Sequence, residues 1–277
     1  RADSSGMRTR WLAVWALSLL FAMSGRAAPA SFYVNYDAHV PTAPLRLNAV
    51  SIVHPDATVD LAAAHAAGNK VLAYLSVGEI AADALYRPQA VERGLTLRGQ
   101  NATWGSDLLD LRDDGWTALL VDEVAAEAVA RGYDGFFLDT LDSVSPEGRA
   151  AAITLVKRLK ALDPTAMIVA NRGFELLPAL RGVVDGVMAE SLLGTYDFAE
   201  QRYRGVPPAE TAALTARLRE AEAAGLQVYV LDYVDPHDAA RARAVAKRIL
   251  DLGWNAFVST PSLRGAVLAP WREVPRR

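Results

Sequence analysis

Not one cysteine occurs among the 277 residues, which removes disulfide frameworks, thiolate nucleophiles and cysteine-ligated zinc together. Histidine is almost as scarce. His39, His54, His65 and His237 stand far apart and form neither His-x-His nor His-Glu-x-x-His, so no catalytic metal centre is expected and only an all-carboxylate cation site stays open. No Gly-x-Gly-x-x-Gly follows the first strand-like run and no Walker motif is present, so dinucleotide and nucleotide folds lose their best support. Tyr74-Leu75-Ser76-Val77-Gly78 lacks the first glycine of a nucleophile elbow, which leaves a serine hydrolase with little to stand on. No cofactor is expected. Neither internal repeats nor low-complexity linkers break the chain.

What is present begins with hydrophobic bulk. With 52% hydrophobic residues, the chain can bury a large core in one domain, and single α/β barrels commonly take about 250 residues. At the N-terminus, Met7, Arg8 and Arg10 precede the apolar run from Trp11 to Met23, and Ala28-Pro29-Ala30 follows. A basic start, a short apolar core and an Ala-x-Ala site read as a secretory signal over residues 1–30, residues 1–6 being an extension before the methionine. The competing reading is an N-terminal anchor, but the run falls short of the ~20 residues a spanning helix needs. Without residues 1–30, the loss of Arg1, Arg8, Arg10, Arg26 and Asp3 leaves 25 basic against 31 acidic residues, near −6, against −3 for the whole chain. That balance argues against nucleic acid and suits a cationic ligand.

Eight short apolar runs follow, at 32–37, 49–54, 71–76, 135–140, 167–172, 186–191, 228–233 and 256–261. Most are continuous rather than alternating, as expected of parallel strands covered on both faces. Helical patterns alternate with them: Val59 to Gly68, Trp116 to Gly132, Pro146 to Leu162, Pro208 to Gly225 and Asp238 to Gly253. Several open on Asp or Pro and stop at Gly. Alternation at this count predicts an α/β fold, a single (β/α)8 TIM barrel over residues 31–277. The stretch 80–115 is expected to be one long irregular loop over the barrel mouth.

In such barrels the reacting groups sit at the C-terminal ends of the strands. Two runs deliver a carboxylate there: Gly135-Phe136-Phe137-Leu138-Asp139 and Gly186-Val187-Met188-Ala189-Glu190. Asp139 alone could be a helix cap, but Asp142 three residues on can take that duty. Glu190 is harder to explain structurally, because Glu is a poor strand residue and a poor cap. Two carboxylates from two strands are the minimal equipment for glycoside hydrolysis. Other strand ends add Tyr36, Asp37, Tyr74, Ser76, Glu79, Asn171, Arg172, Asp232 and Tyr233 as candidate substrate-binding groups. Tyr and Trp faces stack on sugar rings while acids, amides and guanidinium groups bind hydroxyls, and Trp104, Tyr196 and Tyr203 could extend such a platform or serve as ordinary packing.

These strand ends resemble glycoside hydrolase family 114. The matching segments are Tyr-Leu-Ser-Val-Gly-Glu (74–79), Gly-Tyr-Asp-Gly-Phe-Phe-Leu-Asp-Thr-Leu-Asp (132–142), Ala-Asn-Arg-Gly (170–173), Ala-Glu-Ser (189–191) and Leu-Asp-Tyr (231–233). Tyr-Asp-Ala-His-Val-Pro (36–41) looks more like the Pel-type members. The resemblance covers about residues 31 to 265. It implies a (β/α)8 barrel that cleaves α-1,4-linked galactosamine or N-acetylgalactosamine polymers, with Asp139 as nucleophile and Glu190 as general acid/base. The expected partner is therefore a polysaccharide, cationic where de-N-acetylated, and an acidic rim including Asp37, Glu79, Asp142, Asp232 and Asp235 would favour it. The expected setting is secreted or periplasmic, with the chain acting as a monomer. Two alternatives stay open: a non-catalytic carbohydrate-binding barrel, and a glycosidase acting on another glycan.

Overall fold

Eight parallel strands follow one another around a single sheet in chain order. They are β1 (Phe32–Asn35), β2 (Val50–Val53), β3 (Lys70–Ser76), β4 (Gly135–Asp139), β5 (Met167–Asn171), β6 (Gly186–Glu190), β7 (Gln227–Tyr233) and β8 (Asn255–Ser259). This is a computed structural model, and it describes residues 31–265. The export-signal reading of residues 1–30 lies outside the described residues. Each strand coincides with one apolar run of the sequence. The runs are continuous because both faces are covered: Phe136, Phe137 and Leu138 of β4 are all fully buried, packed between the barrel interior and the outer helices. The sheet curls until β8 meets β1. There the ring of Phe257 packs on Phe32 and Tyr33, each with centroids 5.7 Å apart, and the Tyr36 amide donates to the Leu263 carbonyl at 2.9 Å.

The helices that cover the sheet begin and end where their sequences say. Asp60, Asp113, Ser145 and Asp238 accept from backbone N–H groups of the first turn that follows each of them, satisfying donors a helix start leaves unpaired. Trp116 to Gly132 is helical as expected. Its middle, Leu119–Ala125, widens into π geometry, and Gly132 stops it in the left-handed conformation at φ 96°.

One device recurs at the foot of the barrel. Asp134 and Asp185 each precede the glycine that opens a strand, and each accepts from the preceding strand's backbone: Val71 N at 2.8 Å and Ile168 N at 2.8 Å. The following glycine is obligatory in β4. A methyl group on Gly135 would lie 2.0 Å from the Met167 carbonyl oxygen, and its φ is 152°.

Two segments depart from the sequence reading. The stretch 80–115 is no irregular loop. It folds as a three-stranded antiparallel sheet, Glu79–Ile80, Leu97–Asn101 and Ser106–Leu109, with a helix at Arg87–Glu92 between the first two. Its strands are short and largely polar, Leu97–Asn101 running Leu-Arg-Gly-Gln-Asn mostly exposed, so no apolar period announces them. The second is a hairpin after β6, Gly194–Asp197 against Arg202–Gly205, which pairs Tyr196 with Tyr203. Among the described residues, no helix is long and apolar enough to cross a membrane.

Candidate active site

The last residues of four consecutive strands converge at the barrel mouth: Asp139 on β4, Asn171 on β5, Glu190 on β6 and Tyr233 on β7. Asn171 stands between the two carboxylates. Its Nδ2 donates to Asp139 Oδ1 at 2.8 Å and to Glu190 Oε1 at 2.9 Å, so these two oxygens can be no further apart than the two lengths laid end to end, 5.7 Å. Tyr74 Oη donates to Asp139 Oδ2 at 2.8 Å, and the Thr140 amide donates to Oδ1 at 2.8 Å. Tyr233 Oη donates to Glu190 Oε2. Tyr36 completes the group, its ring 4.9 Å from that of Tyr74.

The backbone turns sharply after each central residue. Thr140, Arg172 and Ser191 follow Asp139, Asn171 and Glu190, and all three lie in the left-handed region with φ of 59°, 52° and 62°. Non-glycine residues enter it rarely and only when neighbours compel them. Those neighbours are visible. Thr140 Oγ1 accepts from Gly78 N at 2.8 Å and donates to the Asp139 carbonyl at 2.7 Å. The Arg172 amide donates to Met188 O at 2.8 Å while its guanidinium donates to Glu190 O at 2.8 Å. The Ser191 amide reaches Leu231 O at 2.9 Å. Strain concentrated at three adjacent strand ends is a mark of a functional site.

Burial lifts both carboxyls above their ordinary range. For Asp139, desolvation leads, opposed by the bonds from Tyr74, Asn171 and Thr140, with the charge of Asp142 adding to the rise. For Glu190, desolvation leads again and the charge of Asp139 adds to it, against the bonds from Tyr233 and Asn171. Burial and the nearby carboxylates also hold the hydroxyls of Tyr36, Tyr74 and Tyr233 well above the usual tyrosine value, so all three keep their protons, and Tyr74 and Tyr233 donate theirs to the two acids.

The remaining candidates part company here. Arg172 belongs to the site through the backbone of Glu190. Asp37 and Asp142 lie on the rim, Asp142 lining a cavity of about 460 Å³ together with Leu141, Arg149, Arg172, Phe174 and Arg217. Three residues expected to face substrate do not. Ser76 donates to the Glu79 carbonyl at 2.8 Å, and its hydroxyl oxygen lies 3.0 Å from that of Thr140. Glu79 is only 3% exposed and is enclosed by Asn101, Ser106 and Ser143, so it ties the small sheet to the barrel. Asp232 is fully buried and accepts the amides of Leu192, Leu193 and Gly194 at 2.6, 2.8 and 2.9 Å. It anchors the loop after Glu190, and burial raises its carboxyl to about 6.

The aromatic candidates form a bridge. Trp104, at the hairpin tip of the β3–β4 excursion, meets Phe198 at the tip of the β6–β7 hairpin, with centroids 4.9 Å apart. Phe198 packs on Tyr196 and Tyr196 on Tyr203. Trp104 stays 62% exposed and Phe198 46%. The sequence reading missed Phe198, whose only signal is an aromatic residue set in a polar turn. It also missed Thr140 and Ser191, which look ordinary until their φ is known. Among the described residues, no cluster of His, Cys, Asp and Glu could hold a metal ion.

The fold is shared with known glycosidases. The chain is similar to the glycoside hydrolase domain of PelA from Pseudomonas aeruginosa, at 34% identity and a TM-score of 0.77, over 85% of this chain and 96% of that one. The structure of Ega3 from Aspergillus fumigatus in complex with galactosamine matches at 14% identity and a TM-score of 0.64, over 87% and 96%. An α-galactosidase from Thermus thermophilus matches at 16% and 0.54, over 86% and 59%. The last two likenesses speak for the fold alone. No curated protein matches the sequence. The model of glycoside-hydrolase family GH114 matches residues 21–275, and the chain belongs to that family.

Proposed function

We propose that this protein is an endo-acting hydrolase of α-1,4-linked galactosamine and N-acetylgalactosamine polymers that works by double displacement at Asp139 and Glu190. One observation carries the mechanism: the two carboxylates share a single amide nitrogen, which keeps their facing oxygens within 5.7 Å. Retaining glycosidases place their carboxyls about 5–5.5 Å apart, whereas inverting ones need roughly 6.5–9.5 Å to admit a water.

Roles follow from the donor sets. Asp139 receives three hydrogen bonds and Glu190 two, and the charge of Asp139 pushes the Glu190 carboxyl up. Asp139 is thus the group that stands ionised and attacks the anomeric carbon, while Glu190 keeps its proton and gives it to the departing glycosidic oxygen. In the second step, the Glu190 carboxylate takes a proton from water, the water oxygen bonds to the anomeric carbon, and the ester to Asp139 breaks. A proton is returned to Glu190 and a carboxylate to Asp139, so the cycle closes without a cofactor.

The substrate class rests on membership of family GH114 and on the resemblance of the strand-end segments to its members. The acidic rim gives less support than the sequence promised, since Glu79 and Asp232 are buried and only Asp37, Asp142 and Asp235 remain to meet a cationic chain. We also assign the protein to the secreted or periplasmic space, as a monomer, with residues 1–30 as its export signal.

Digestion of a defined α-1,4-galactosamine polymer, with mass spectrometry of the products and NMR of the newly formed anomer, tests the reading. Internal cleavage with retained configuration is expected, and neither Asp139→Asn nor Glu190→Gln should release oligosaccharides. An inverted product would overturn the double displacement, and an undigested polymer would overturn the substrate class.

A further inference from the structure

Asn171 carries an unusual load for one side chain. Its nitrogen has two hydrogens, and each goes to a different carboxylate, at 2.8 and 2.9 Å. The residue is 6% exposed, and its Oδ1 meets no partner. The two carboxylates alone therefore fix how the amide is turned. Reversing it would set a carbonyl oxygen against both acids and abolish both bonds.

The chemistry proposed above, on which this inference rests, keeps one negative charge on the pair throughout. Before attack the charge lies on Asp139 and Glu190 is protonated. Once the glycosyl ester has formed and the proton has left for the leaving oxygen, Asp139 is neutral and Glu190 holds the charge. Hydrolysis of the ester returns it. We propose that Asn171 is a positioning residue that serves both halves of this cycle, presenting one N–H to each site the charge occupies. The donor facing the ionised carboxylate makes the stronger, charge-assisted bond. No side chain has to move when the charge crosses, because the second donor is already aimed at its destination. Preorganisation of this kind is where electrostatic catalysis gets its effect.

Neighbouring donors lack this symmetry. Tyr74 and Thr140 serve Asp139 only, and Tyr233 serves Glu190 only. Losing any one of them should weigh on one half of the cycle. Losing Asn171 should weigh on both.

The test pairs carboxyl titration with kinetics of the separate half-reactions. Wild type, Asn171→Ala and the isosteric Asn171→Asp are compared, with circular dichroism to show that each is folded. In ¹³C-labelled protein, Asn171→Ala should move the titrations of both Asp139 and Glu190 upward. On aryl oligogalactosaminides whose good leaving group makes ester hydrolysis rate-limiting, and on poor leaving groups that make attack rate-limiting, kcat should fall by ~10²-fold or more in each case, as for loss of one preorganised donor. Asn171→Asp, which keeps the shape but adds a charge, should do no better than Asn171→Ala. A purely structural role would lower thermal stability and leave both titrations in place, and that result overturns the proposal. So does a defect confined to one half-reaction. If the wild type cleaves no galactosaminide, the substrate reading fails by itself, while the titrations still decide whether Asn171 couples the two acids.

Discussion

Tyr74 and Tyr233 look equivalent, each giving its hydroxyl proton to one carboxylate, yet they should act on opposite limbs of the pH–rate profile. Each bond stabilises an ionised acid, so removing it raises that acid's pKa. Asp139 must be ionised to attack, and Tyr74→Phe should therefore move the acidic limb of kcat/KM to higher pH. Glu190 must hold its proton, and Tyr233→Phe should move the alkaline limb to higher pH. A pH series of kcat/KM on both variants checks the pair, and exchanged limbs would reverse the roles assigned to the two acids. Residue positions were legible only in part. Asp139 and Glu190 stand out because an acid closing an apolar strand has few structural uses. Of the neighbouring pair Asp232 and Tyr233, both expected at the site, alternation along the strand sends one to each side, so Tyr233 reaches the site while Asp232 turns to the amides of the loop behind it. Glu79 was misread because the chain folds back on it through contacts with Asn101, Ser106 and Ser143, residues up to 64 positions away.

At the scale of elements, the barrel strands were readable because burial on both faces writes itself as continuous apolar runs. The two excursions were not, because their strands are short and largely polar and only scattered residues such as Ile80 and Leu109 join the core. They are the parts that set this mouth apart from a bare barrel. One leaves β3, the other leaves β6, and they meet through Trp104 and Phe198, on either side of the strands that carry Asp139 and Asn171. Exposed aromatic faces in such a place fit the stacking of sugar rings. Trp104→Ala with Phe198→Ala should raise KM for the polymer several-fold, change kcat little, and leave the melting temperature within a degree or two, because both side chains are exposed and outside the core. Steady-state kinetics on long and short oligomers read this out, with the larger loss on long chains. Asp232 makes the contrasting case. Asp232→Ala strips three buried amides of their acceptor, each worth about 1–3 kcal/mol when left unpaired, and should lower the melting temperature markedly. Its effect on kcat should follow, since the freed loop begins one residue after Glu190.

For the molecule as a whole, the site is bought with stability. Asp139, Glu190 and Asp232 all have carboxyls raised by burial, Asp232 to about 6, against about 3.9–4.3 in an unfolded chain. For such groups the folded state binds the proton more tightly. Their favourable contribution is complete below the unfolded pKa and is lost as pH rises through the folded one. Asp107 and Asp110 oppose this trend. Their carboxyls are lowered by bonds from Arg87 and Arg112 respectively, Asp110 to about 2, so their contribution is present above about pH 4 and lost on further acidification. The melting temperature should therefore peak in mild acid and decline between about pH 4 and 6. Replacing Asp139 by Asn and Glu190 by Gln removes two of the three raised acids without changing their shape. The double variant should be inactive, melt higher than the wild type at pH 7, and show a shallower decline over that window. Calorimetry at pH 4, 5, 6 and 7 on both proteins is decisive, because a steeper decline in the variant would mean that the pair is ionised at no cost to the fold and that the raised carboxyls of the site have been assigned the wrong sign.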